Sequence, residues 1–205
     1  MPQETFFNLE VEKRERIITA AIREFSHKGY QGATIESIAA AARVAKGSMY
    51  QYFAGKEDVL TYLVDLVIGK ETDALAESVV KQGHLPFFAA LEATWIQMVE
   101  LAEADPDLFR VCRVVEEGAP DCIRDPFEET VRGLWNQYYQ SLLARAGEEG
   151  IIRSAVSIDL ASFVVSTLVR RSLELLATEE LPQEQREVYL KEGIAIIKHG
   201  LGRNS

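Results

Sequence analysis

The sequence predicts an all-α protein: an N-terminal three-helix helix-turn-helix unit followed by a larger helical bundle. Three observations lead there. From Val11 to Lys28, Ile18, Ala21, Ile22 and Phe25 fall at i, i+3, i+4 and i+7, one apolar stripe on a helical period. Four later segments open at or beside Pro86, Pro106, Pro126 and Pro182, and proline is tolerated in a helix's first turn because the amide it lacks would have no partner there. No short window alternates strictly between apolar and polar residues, so strands have no support.

Taken in order, the first helix runs from about Val11 to Lys28, and Gly29 stops it as a left-handed terminator. Thr34 is placed to cap a second helix to about Ala42, its hydroxyl accepting from a free amide of the first turn. Position 37 is Ser rather than Glu or Gln, so the full capping box is absent. After the turn Arg43-Val44-Ala45 a third short helix spans Lys46 to Phe53. Past Gly55 a long helix opens at Lys56 and runs to about Lys81. Five more helices are expected: Pro86 to Ala104, Pro106 to Glu117, Pro126 to Ala146, Ser157 to Ala177 and Pro182 to His199. The domain boundary falls between residues 1–55 and 56–205.

Composition narrows the class. With 47% hydrophobic and 26% charged residues among 205, the chain can bury a substantial core, which excludes disordered and low-complexity classes. Its longest run without a charge, Gly133 to Ala144, has 12 residues, short of the roughly 20 a spanning helix needs. No basic segment followed by an apolar core opens the chain, so no signal peptide is readable and a cytoplasmic location is expected. Cys112 and Cys122 lack the spacing of a metal or redox pair and read as free thiols.

Charge is unevenly spread. The net charge of −10 belongs entirely to residues 61–205, and Lys13 to Lys56 carries eight basic residues against three acidic. Polyanion binding requires phosphate neutralisation, so this segment alone is suited to nucleic acid. Two short helices joined by a three-residue turn are the layout of a helix-turn-helix, whose second helix enters the major groove. Ile35, Ile38, Ala39, Ala42, Val44, Met49 and Phe53 can share a core with Ile18, Ile22 and Phe25. Lys46, Gly47, Ser48, Tyr50, Gln51 and Tyr52 are then left outward, a set rich in donors and free of acid. Such groups hold phosphates, and a glycine lets the backbone approach DNA.

The run TIESIAAAARVAKGSMYQYFAGKEDVL from Thr34 to Leu60, preceded by FSHKGYQGAT from Phe25, resembles the DNA-binding domain of TetR-type transcriptional repressors. The resemblance covers roughly the first quarter of the chain. It implies a homodimer on a near-palindromic double-stranded operator, released by a small-molecule effector, with no cofactor and no enzymatic activity. By position, Thr34 resembles the phosphate-contacting cap, Tyr50, Tyr52 and Lys56 the backbone clamp, and Lys46, Gly47, Ser48 and Gln51 the residues that read or abut bases. Two departures stand out. Arg43 occupies a turn position that favours a left-handed backbone, costly for non-glycine residues, and adds positive charge beside the DNA face. Ala45 replaces the hydroxyl that would cap the recognition helix, a loss of roughly 0.5–2 kcal/mol.

The remainder is expected to hold ligand and partner. The resemblance implies pairing through the last two helices. Ala161, Val165, Leu168, Ser172 and Leu175, with Leu190, Ile194, Ile197 and Leu201, form stripes that suit either a helix-pair seam or intrachain core. Aromatic residues crowd the middle helices, and Trp95, Met98, Trp135 and Tyr138 are the candidate walls of a largely apolar effector pocket. The acidic surplus there suits cationic ligands or simple solubility. Two rival classes remain. A di-iron-like helical enzyme has one Glu-x-x-His pair, Glu24 and His27, where such proteins use two. A protein-binding helical adaptor would lack affinity for polyanions.

Overall fold

A computed structural model describes residues 1–153, 155–177 and 182–202. Ten helices occur among these residues and no strand beyond an isolated bridge between Ile152 and Gly202. They are α1 (Glu4–Phe7), α2 (Val11–Gly32), α3 (Ile35–Ala42), α4 (Lys46–Tyr52), α5 (Lys56–Gln82), α6 (Phe87–Ala104), α7 (Pro106–Gly118), α8 (Asp121–Glu148), α9 (Ile158–Ala177) and α10 (Gln183–Leu201). The fold class and nearly every helix agree with the sequence-based expectation.

The chain forms two compact units. The first comprises residues 1–69 and 105–128, where α2 packs on α3 and α7, α3 on α4, and α1 on α4. Its core holds Phe6, Ile17, Phe25, Ile38, Ala39, Met49 and Phe53. Ile17 takes the central place expected of Ile18, which is only half-buried, as is Val44. The second comprises residues 70–104 and 129–205; within it α6, α9 and α10 pack on one another.

Three elements differ from expectation. Gly29 adopts φ 65°, as a terminator should, yet one further turn follows to Gly32, closed by the Ala33 amide donating to the Gly29 carbonyl at 3.1 Å. Helix α8 starts at Asp121, with Pro126 inside it. The Pro120 carbonyl accepts from Ile123 and Arg124 and so begins the helix; an interior proline so near the start removes one backbone bond without ending the ladder. Helix α1, four residues long, carries too little periodicity to be read from sequence; Phe6, fully buried beside Phe53 with ring centroids 4.8 Å apart, holds it.

The stripes considered for the pairing seam are mostly core of their own chain. Ala161, Val165, Ser172, Ile194 and Ile197 are buried, while Leu168, Leu175, Leu190 and Leu201 are half-buried. A two-sided helix hides one apolar face and leaves another: Leu160, Phe163 and Val164 of α9 and Val188 and Ile196 of α10 are exposed. Neither cysteine is in a disulfide; Cys112 is half-buried and Cys122 exposed.

Candidate functional site

The helix-turn-helix is built from local chemistry. Thr34 is extended at φ −137°, ψ 147°, and its Oγ1 accepts from the Ser37 amide at 3.1 Å. The cap is therefore present as expected, although the same hydroxyl also donates to Ser37 Oγ at 3.0 Å. The buried Glu24 carboxylate accepts from the Thr34 amide at 3.3 Å and from Lys28 Nζ at 3.0 Å, fixing the approach to α3. Glu24 thus faces inward, while the exposed His27 lies 3.9 Å from Asp107. The Glu-x-x-His pair points two ways, and no group of three or more potential metal ligands occurs among the described residues.

Helix α3 ends on Arg43, the one non-glycine residue at positive φ among those described (φ 57°, ψ 45°). The Val44 amide donates to the Ala39 carbonyl at 3.0 Å and the Arg43 amide to that of Ala40 at 3.2 Å, the pair of bonds of a Schellman motif. The turn thus keeps its geometry with an arginine where glycine is easier. Ala45 is extended and, as expected, offers no side-chain cap to α4.

On α4, Met49 and Tyr52 face the core. Lys46, Gly47, Tyr50 and Gln51 are exposed and Ser48 half-buried. Lys46 pairs with Glu36 of α3, and their hydrogen bond holds the Glu36 carboxyl below and the Lys46 ammonium above their ordinary pKa values. A Cβ on Gly47 would meet no neighbour within 4 Å, so nothing in the protein's own packing requires that glycine.

Tyr52 departs from the outward set. It is 5% exposed, its ring lies 6.2 Å from that of Phe6, and its hydroxyl accepts from Lys13 Nζ at 3.2 Å. Position alone placed it on the DNA face; burying an aromatic ring against Phe6 outweighs exposing it. Lys56 is also committed within the protein, donating to the Tyr30 carbonyl at 2.8 Å and to that of Ala33 at 3.4 Å. Its Nζ sits 4.2 Å from the Tyr30 ring centroid, and the Tyr30 hydroxyl donates to Glu57 at 2.5 Å. Lys56 therefore closes the carbonyl end of α2.

The N-terminal arm was not legible as part of the site. The Gln3 amide donates to the Tyr52 carbonyl at 2.8 Å and Thr5 Oγ1 to the Gln51 carbonyl at 2.6 Å, which satisfies the last carbonyls of α4. Arg16 similarly donates to the Ala42 carbonyl at 3.4 Å at the end of α3.

In the second unit, a groove of about 340 Å³ lies between α5, α6 and α8. Its walls include Leu75, Val79, Ala90, Leu134, Leu142 and Tyr138. Of the four pocket candidates only Tyr138 lines it; Trp95 and Met98 are 0% exposed and Trp135 is 1% exposed, all in the core. The Trp135 indole donates to Glu71 at 2.9 Å, and the Trp95 ring lies so close to Gly193 that a Cβ there would stand 2.6 Å from it. Helical spacing cannot separate an aromatic residue that faces a groove from one a third of a turn away that fills the core. The Tyr138 hydroxyl shares a 2.5 Å hydrogen bond with Thr94, and burial pushes its pKa up.

A helix-turn-helix with an exposed, donor-rich recognition helix, heading an all-α chain, has the form of a DNA-binding module. Residues 17–63 match the family described as bacterial regulatory proteins, tetR family. The chain is similar to the HTH-type transcriptional regulator HbdR of Aromatoleum sp. (strain CIB), 49% identical over 49 residues, which are 24% of this chain and 21% of that protein. The chain thus spans about a fifth of the length of that relative. It is 25% identical to the HTH-type transcriptional repressor AcnR of Corynebacterium efficiens over 82% of this chain and 84% of AcnR. Among solved structures, a TetR family transcriptional regulator from Chloroflexus aurantiacus is 26% identical with TM-score 0.72, each chain covered completely. FadR from Bacillus subtilis, crystallised with stearoyl-CoA, shares the fold at TM-score 0.72 and 18% identity, over 88% of this chain and 97% of that one.

Proposed function

We propose that the protein is a cytoplasmic, ligand-responsive transcriptional repressor that binds a near-palindromic operator as a homodimer. The observation that carries this reading is the surface of α4, where Lys46, Tyr50 and Gln51 stand exposed on a helix whose other side is core. Gln51 offers an acceptor and a donor to adenine, Lys46 donates to guanine, and Tyr50, Thr34 and Arg43 reach phosphates. Residues 1–55 form the reading head, and the helices from Lys56 onward serve effector and partner. Pairing uses the exposed apolar face of α9 and α10, where Phe163 is 54% and Ile196 is 69% exposed. The effector occupies the groove between α5, α6 and α8 and shifts the dimer toward a state whose two heads no longer match the operator. Its differential affinity for the two states sets how far DNA binding falls.

Selection of preferred duplexes from a random pool tests the reading. Gln51→Ala or Lys46→Ala should relax preference at particular positions, by about 1–3 kcal/mol where the side chain reads a base in bidentate fashion, and Phe163→Glu should yield a monomer without palindromic preference. A wild-type protein that selects no sequence refutes the proposal. Identical selected sites for wild type and both α4 variants would move specificity from these side chains to DNA shape.

A further inference from the structure

The groove of the second unit has a charge pattern unlike the rest of that half of the chain. Residues 61–205 carry a net −10, yet the described residues lining the groove include no acid and one cation, Arg145. Helices α5 and α8 run side by side in one direction, Trp135 bonded to Glu71 toward one end and Arg145 to Gly83 toward the other. The lining extends from Thr72 on α5 to Gly83 just past its end, about 16 Å at 1.5 Å per residue. Between the ends the lining is mostly apolar, with Leu75, Val79, Leu134 and Leu142 beside the polar Ser78, Gln137 and Ser141 and the Tyr138 ring, whose hydroxyl bonds Thr94. Arg145 donates to the Gly83 carbonyl and, at 3.1 Å, to that of Leu85, and its Nε lies 3.9 Å from Glu149. Two backbone bonds hold its guanidinium at the groove's end, and a guanidinium has five N–H groups to give.

We infer that this groove takes an unbranched aliphatic chain ending in an anionic group, with the chain along α5 and α8 and the anion at Arg145. The length fits an extended chain of about a dozen carbons at single-bond distances near 1.5 Å. The mostly apolar middle favours methylenes over aromatic or strongly polar ligands, and the absence of acid in the lining disfavours cations, which the net charge of this half would otherwise attract. The assignment rests on the reading of this groove as the effector site.

The test titrates the full chain with dodecanoate, dodecyl phosphate, dodecanol and dodecylammonium below their aggregation thresholds, followed by calorimetry and by release of a selected duplex. Both anions should bind at least about tenfold more tightly than dodecylammonium, with dodecanol between them. The tighter of the two anions identifies a carboxylate or a phosphate head. Each methylene removed from the better anion should weaken binding about two- to fourfold. Arg145→Gln should erase the order of head groups while leaving dodecanol within about twofold of its wild-type affinity; the wild-type series stands by itself should that variant fail to fold. Dodecylammonium binding as tightly as dodecanoate, no binding by any probe, or no dependence on chain length overturns the inference. Head-group order without release of the duplex upholds the ligand class and overturns the effector role. Release of the duplex by dodecanol and dodecylammonium alone upholds that role and overturns the ligand class.

Discussion

Replacing Arg43 isolates one backbone angle within the DNA-reading head. Its φ of 57° and ψ of 45° put an L side chain in the left-handed region, at a cost of roughly 1–2 kcal/mol that glycine avoids. The side chain is exposed and the turn's hydrogen bonds are made by backbone amides, so truncation removes no packing. Arg43→Ala and Arg43→Gly delete the same charge and differ only in what the backbone tolerates. Glycine also loses more freedom on folding, which offsets part of the relief. Arg43→Gly should therefore be about 1 kcal/mol more stable than Arg43→Ala, a melting difference of about 2–4 °C at this chain length. Arg43→Asn should fall between them, because asparagine tolerates this region better than alanine. Both truncations should weaken DNA equally and lower the salt slope by about one unit for each phosphate that the guanidinium neutralises. Equal melting temperatures for the alanine and glycine variants would refute the claim that the turn stores strain, whatever happens to DNA binding.

Further outcomes follow from single interactions. Burial and the bond to Glu57 push the Tyr30 hydroxyl up to about 12, and the same bond holds the Glu57 carboxyl below its ordinary value. This pair should lose stabilisation as pH rises from about 10 to about 12, and again as pH falls below the ordinary glutamate range. Tyr30→Phe should remove the alkaline dependence, weaken the acid one, which a backbone bond and Lys56 also sustain, and cost about 1 kcal/mol near neutrality, the carboxylate being exposed; pH-dependent denaturation curves parallel to wild type would count against the bond. Gly193→Ala should destabilise by about 1–3 kcal/mol, because its Cβ would stand 2.6 Å from the buried Trp95 ring; an unchanged denaturation midpoint would show that α10 does not sit so close to α6. Trp135→Ala should cost about 3–5 kcal/mol and deprive Glu71 of its indole donor, so melting should fall markedly. A variant that melts like wild type and loses only effector response would return Trp135 to the pocket.

The helices after α1 were legible because they carry their period and their stop signals: Gly29 at positive φ, Thr34 as a cap and Arg43 at the strained turn all stand where the sequence placed them. The start of α8 was not, because Pro126 reads as a helix opening while the Pro120 carbonyl performs that role six residues earlier. Within the site, the face of α4 was legible except at Tyr52, whose inward turn depends on Phe6, a residue 46 positions away on a four-residue helix. The pocket was legible only as a neighbourhood. Trp135 and Tyr138 are three residues apart on α8, and one bonds Glu71 in the core while the other lines the groove. Which face of a helix is core depends on its partners, and apolar spacing alone does not name them.

Helix α4 shows why the reading face could be separated from the fold at all. Seven residues are too few to be helical alone in water, and this helix lacks even an N-cap side chain. Its conformation is imposed from outside: Met49 and Tyr52 are buried beneath it, and Gln3 and Thr5 satisfy its last carbonyls. Exposed Lys46, Gly47, Tyr50 and Gln51 consequently contribute little to holding the helix, and Gly47 touches nothing that would forbid a side chain. Substitutions on that face can change what DNA is read at small cost to stability. Substitutions at Phe6, Thr5 or Tyr52 lie off the proposed reading face and yet loosen the element that presents it. Loss of sequence preference should therefore arise in two distinguishable ways, with melting unchanged for the exposed residues and lowered for the arm.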